Sequence, residues 1–133
     1  MESLMAAGVL LGIVVAVTTA VTAGQQNAYE AQRRIAGALA AEELMGRIAI
    51  EPYNRLASWH GHVEQAGDLA GPGGALLPQC MQSVGRDVSV ISELRTLAGL
   101  DVRVRGVSVT VRTLTPDGRV MVSLTRFVPE PQA

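Results

Sequence analysis

Residues 2–24 read ESLMAAGVLLGIVVAVTTAVTAG, and the fold turns on how that stretch is interpreted. Between Ser3 and Asn27 no side chain is charged. A helix needs roughly 20 predominantly apolar residues to cross a bilayer core, and this run exceeds that length. It is also too long for an ordinary buried helix in a short chain. Ser3 to about Ala23 therefore reads as membrane-embedded, with one carboxylate, Glu2, at its lip. A cleaved secretory signal fits less well. Val21-Thr22-Ala23 before Gly24 supplies small residues, but a basic n-region is missing and the apolar run is too long.

Beyond Gly24 the sequence QQNAYEAQRRIAGALAAEELMGRIAIEP is rich in helix formers and meets no proline before Pro52. One continuous helix from Ser3 to about Ile50 is expected. At 1.5 Å per residue it would be on the order of 70 Å long, so half of it must stand outside the hydrocarbon. In that outer half Ala28, Ala31, Ile35, Ala38 or Leu39, Met45 and Ile48 form the expected packing face. Glu30, Arg33, Arg34, Glu42, Glu43 and Arg47 form the wet one, with Glu43 and Arg47 as an i,i+4 pair. The expected organisation is a membrane-embedded helix half over residues 1–27, an amphipathic outer half over 28–52, and a small domain over 53–133.

A second pattern runs along the same helix. Gly8, Gly12, Ala16, Ala20, Gly24 and Ala28 place a small residue at every fourth position. Small residues let helix backbones approach closely in an apolar medium, where dispersion drives association. Four residues advance the helix by about 40° beyond a full turn, so the stripe winds and suits several neighbours better than one.

The remainder changes character. From Tyr53 to about Gly85, glycines and prolines at 67, 71–74 and 78 read as loop with one short helical turn. SVISELRTLA, residues 89–98, reads as a short helix: Ser89 can cap it, Ile91, Leu94 and Leu97 recur at helical spacing, and Gly99 stops it. DVRVRGVSVTVRTLTPDGRVMVSLTRFV, residues 101–128, alternates apolar and polar as half-buried strands do, with a turn at Thr115-Pro116-Asp117-Gly118. Gly106 breaks the alternation and predicts a bulge or a tight connection. The fold class is α+β, a long N-terminal helix whose outer half packs on a small antiparallel sheet.

Composition narrows the function. The eleven basic residues are all Arg and are spread along the chain, and the net charge is −1, which gives no nucleic-acid footprint. The single cysteine, Cys80, excludes an intrachain disulfide. With Leu76, Leu77 and Met81 around it, it reads as a buried or half-buried thiol and not a nucleophile. Trp59-His60-Gly61-His62 with Glu64 is the one cluster that resembles a metal-ligand set, but it lacks a fourth ligand and reads more simply as polar loop near an anchoring Trp. The glycines at 71–74 neither follow a strand nor open a helix, so they do not read as a phosphate cradle. No catalytic residue, cofactor or small-molecule substrate is expected.

These segments resemble the type IV pilin-like proteins, a family that includes minor pilins and the pseudopilins of type II secretion. ESLMAAGVLLGIVVAV is similar to the family segment in which a glutamate is followed at once by the membrane helix. AYEAQRRIAGALAAEELMGRI resembles the alanine-rich second half of the spine helix in I-type pseudopilins and V-type minor pilins. VSVTVRTLTPDGRVMVSLTRF fits their small C-terminal sheet. No proline interrupts the helix and no C-terminal cysteine pair is present, which points to a pseudopilin or minor subunit.

The resemblance implies a pilin-like fold and a structural role in a type IV pilus-like or type II secretion filament, without catalysis. Only Met1 precedes Glu2, so leader cleavage by a prepilin peptidase and methylation of the new N-terminus are implied for a longer precursor. Implied partners are other pilin-like subunits and, before assembly, lipid of the bacterial cytoplasmic membrane, with the C-terminal domain outside the cytoplasm. The expected assembly residues are Glu2, Gly8, Gly12, Ala16, Ala20 and Gly24. The first Arg is Arg33, so the cation for Glu2 must come from another molecule; the resemblance implies the N-terminal amine of an adjacent subunit. The alternative is a single-pass, membrane-anchored binding module whose helix is only a tether.

Overall fold

The computed structural model describes residues 2–132, Glu2 by its backbone alone. Its elements are α1 (Glu2–Ala49), the single turn α2 (Tyr53–Leu56), β1 (Val63–Glu64), β2 (Gly85–Leu97), β3 (Val102–Leu114) and β4 (Val120–Pro129). Short 3-10 turns lie at Ala57–Trp59, Pro72–Gly74 and Gln79–Met81. The strands form one four-stranded antiparallel sheet in the order β1-β2-β3-β4. The class is α+β, as the sequence predicts. Contacts divide the chain into two compact units, Met1–Arg33 and Arg34–Ala133.

The first unit is helix, and from Ser3 to Gln32 its residues are exposed. It is long and apolar enough to cross a membrane. Three threonine hydroxyls in its apolar stretch are answered within the helix. The hydroxyls of Thr18, Thr19 and Thr22 donate to the carbonyls of Val14, Val15 and Thr18 at 2.8, 2.8 and 2.9 Å. Hydroxyls bonded back in this way need no water, which lowers the cost of an apolar surrounding.

In the second unit the C-terminal part of α1 lies on the sheet. Ala41, Leu44 and Ile48 pack with Leu56, Val88, Val107, Val109 and Val111, and Ala40 joins Leu69 and Val84 in a second cluster. The packing face differs from the expected one: Ile35 and Leu39 are 61% and 44% exposed, whereas Ala36, Gly37, Ala40 and Ala41 turn inward. Smallness is the reason. A Cβ on Gly37 would stand 3.0 Å from both the Met121 sulfur and the Thr113 hydroxyl, so the helix sits where only short side chains fit. A count of large apolar residues points to the wrong side of such a helix.

Residues 89–98 are not helical. Residues 89–97 belong to the 13-residue strand β2, which pairs with β3 from Gly85↔Leu114 to Leu97↔Val102, and Ala98 begins the turn after it. In the strand Ile91 and Leu97 share one face and Leu94 takes the other, and all three are exposed. Their helical spacing therefore makes no apolar stripe, and the ladder with β3 overrides it. The loop Ala98–Asp101 closes the hairpin, with positive φ at Gly99 and Asp101.

Gly106 marks neither a bulge nor a connection. It holds regular register between Glu93 and Pro129, and the irregularity in β3–β4 lies at Thr113/Leu114. A Cβ at Gly106 would meet the Val128 carbonyl and stand 2.6 Å from Cζ of Phe127. The glycine makes room for the Phe127 ring. The turn at Thr115–Gly118 is as predicted, with the Thr115 N–H donating to the Arg119 carbonyl at 2.8 Å and Gly118 at φ 87°.

Candidate functional site

Two features stand out, one in each unit. The first is the small-residue stripe. Gly8, Gly12, Ala16, Ala20 and Gly24 all lie on exposed helix, and a Cβ at Gly8, Gly12 or Gly24 would meet no atom within 4 Å. The stripe therefore has no packing role inside the chain, among the described residues. The side chain of Glu2 lies outside the described residues.

The second feature is a buried arginine that sequence reasoning missed. Arg86 lies on the helix-facing side of β2, and its side chain is 0% exposed. Its Nε donates to Glu64 Oε2 at 2.7 Å and its Nη1 to Glu43 Oε2 at 2.6 Å. The same Nη1 reaches the Ala40 carbonyl at 2.9 Å, and Nη2 reaches the Ala70 carbonyl at 2.6 Å. One guanidinium thus ties α1, β1, β2 and the loop after β1 together. Its planar fork suits several acceptors at once, which a lysine ammonium would not. The alternation through Val88 and Val90 puts Arg86 on their face of the strand, but nothing local shows the carboxylates and carbonyls that let its charge be buried.

A second ring of groups surrounds this centre. Arg47 Nη1 donates to the Ala70 carbonyl at 2.8 Å, stands 3.9 Å from Glu43, and lies 5.7 Å from the centre of the Trp59 ring. Glu43 was expected on the solvated face of the helix, but its side chain is only 20% exposed because it turns toward Arg86. Its i,i+4 pairing with Arg47 is present as expected. Glu64 Oε1 bonds His62 Nε2 at 2.9 Å, and Glu64 Oε2 also accepts the Ala70 N–H at 3.3 Å. Burial pushes the Glu64 pKa up, but hydrogen bonds from Arg86 and His62 and the Arg86 charge outweigh it and hold the carboxyl below its usual 4.5.

The Trp59-His60-Gly61-His62 motif is therefore divided between structural tasks. His62 packs edge-on against Trp59 at 5.0 Å and binds Glu64, whereas His60 Nδ1 accepts the Val90 N–H at 3.1 Å on the edge of β2. Among the described residues no group of three or more His, Cys, Asp or Glu side chains is arranged to hold a metal ion. Cys80 is exposed, contrary to the expectation from its apolar neighbours. It lies in the Gln79–Met81 turn, and there Leu77 and Met81 turn inward on the cluster of Ala40, Leu69 and Val84. No family model, curated protein or solved structure matches this chain.

Proposed function

We propose that this chain is a structural subunit of a pilin-like filament, a minor pilin or pseudopilin. In this reading the first part of α1 holds it in the cytoplasmic membrane before assembly, with the sheet unit outside the cytoplasm. The supporting observation is the helix itself. α1 runs without interruption from Glu2 to Ala49, its apolar N-terminal stretch carries an unfilled stripe of small residues, and its last turns are built into the core of the sheet unit. A mere tether needs neither a stripe nor continuity with the core. In a filament the stripe at Gly8, Gly12, Ala16, Ala20 and Gly24 is where neighbouring helices approach, and Glu2 takes a cation from an adjacent subunit, since an unpaired carboxylate in an apolar bundle costs several kcal/mol.

The test is co-purification of the full chain with its assembly from membranes. Gly12→Leu adds bulk where helices touch at little cost to insertion, so it should stay in the membrane and leave the assembly. Glu2→Leu should anchor at least as well as the parent and fail to incorporate, while Glu2→Asp is partly tolerated. Normal incorporation of Gly12→Leu and Ala16→Leu would support the tethered binding module in place of the filament subunit.

A further inference from the structure

The outer edge of β2 is covered for only part of its length. β1 pairs with Arg86 and Asp87, Val88 bonds to Gly61 and His62, and the His60 ring takes the Val90 N–H. Past that point the edge is open. Val88 and Val90 direct their backbone groups away from β3, so the pleat turns those of Ser92, Leu94 and Thr96 outward as well. Among the described residues none bonds to them. Apart from half-buried Glu93, residues 91–97 are exposed. A free strand edge is a template for another strand.

The open segment, ISELRTL at 91–97, is complementary to itself when run antiparallel. With Leu94 on a two-fold axis, Glu93 faces Arg95 of the other copy, Ser92 faces Thr96, and Ile91 faces Leu97. Acid meets base, hydroxyl meets hydroxyl, and aliphatic meets aliphatic. Sliding the strands so that Glu93 or Arg95 falls on the axis sets like charges face to face, which disfavours those registers. The charges are also held in place beforehand. Glu93 bonds Arg95 and accepts the Ser108 hydroxyl at 2.6 Å, and the Arg95 guanidinium lies 4.6 Å from the centre of the Phe127 ring. The opposite sheet edge, β4, offers no such match, because Arg126 is its only charged residue.

We infer that a second copy of this chain docks on the β2 edge by antiparallel pairing of residues 91–97 about Leu94, joining two sheets into one. The pairing adds about six backbone hydrogen bonds, two at Leu94 and two at each Ser92–Thr96 match. The interface is isologous and closes on itself. It does not depend on the filament reading.

Disulfide trapping in the full chain, with Cys80→Ser as background, tests it in membranes. Leu94→Cys should cross-link with its own copy, because paired strands bring those Cα atoms to about 5.5 Å. Ile91→Cys alone should not, although Ile91 and Leu94 are similarly exposed at 59% and 56%. A mixture of Ile91→Cys and Leu97→Cys chains should cross-link. Adding Glu93→Arg or Arg95→Glu to Leu94→Cys should cut the dimer band roughly tenfold, and adding both should restore it. Cross-linking of Leu94→Cys no better than Ile91→Cys, or a double reversal as weak as either single one, overturns the inference.

Discussion

Arg86 concentrates the polar energetics of the sheet unit in one side chain. Its side chain is fully buried and meets two carboxylates and two carbonyls, and removing it leaves Glu43 with Arg47 at 3.9 Å and strips Glu64 of its guanidinium partner. Arg86→Met should therefore destabilise the unit by about 3–5 kcal/mol. Trp59, the only tryptophan and a neighbour of Arg47 and His62, gives the fluorescence signal for a denaturant titration. Arg86→Lys should lose a large part of the same stability, since a point charge cannot serve four acceptors. Glu64 adds a pH dependence. Its folded pKa lies below its usual value, so its contribution is fully present above about 4.5 and is lost as pH falls through the lower folded value. Acid titration of unfolding should show stability falling below pH 4.5, and Glu64→Gln should flatten that slope. Gly106 is a residue-scale constraint of another kind. Gly106→Ala should cost about 1–3 kcal/mol because its Cβ collides with the Val128 carbonyl as well as with the Phe127 ring.

At the scale of elements, α1 has two chemistries along one backbone. From Ser3 to Gln32 its surface is exposed, and from Ala36 to Ala41 its inward face is made of small residues that bring it close to the sheet, with Leu44 and Ile48 completing that face. Ala41→Leu should overpack that contact and destabilise by about 1–3 kcal/mol. Leu44→Ala should open a cavity and cost about 2–5 kcal/mol, whereas Leu39→Ala, on the exposed side, should stay within about 0.5 kcal/mol of the parent. The Trp59 titration ranks all three. A large loss for Leu39→Ala would put the wrong helix face on the sheet. The hairpin β2–β3 runs beyond the last pairing with β4, at Gly106↔Pro129, and beyond β1 on its other side. That overhang leaves the self-complementary edge open.

At the scale of the whole chain, the split between Met1–Arg33 and Arg34–Ala133 predicts that the second unit carries its own stability. A fragment lacking residues 1–27 should be soluble and unfold in one cooperative transition, with helix and strand signals lost together by circular dichroism. Loss of the helix signal before the strands would place the packing of Ala41, Leu44 and Ile48 in error. Features that depend on near neighbours were legible along the chain: the apolar run from Ser3, the helix up to Pro52, the alternation of β3 and β4, and the turn at Thr115–Gly118. Tertiary structure decided the rest. Residues 89–97 became strand because β3 lies alongside them, Ala40 and Ala41 turned inward because the sheet comes close, and Arg86 was buried because Glu43 and Glu64 arrive from other elements. Burial of a charge or choice of a strand depends on partners tens of residues away, and a local pattern carries no record of them.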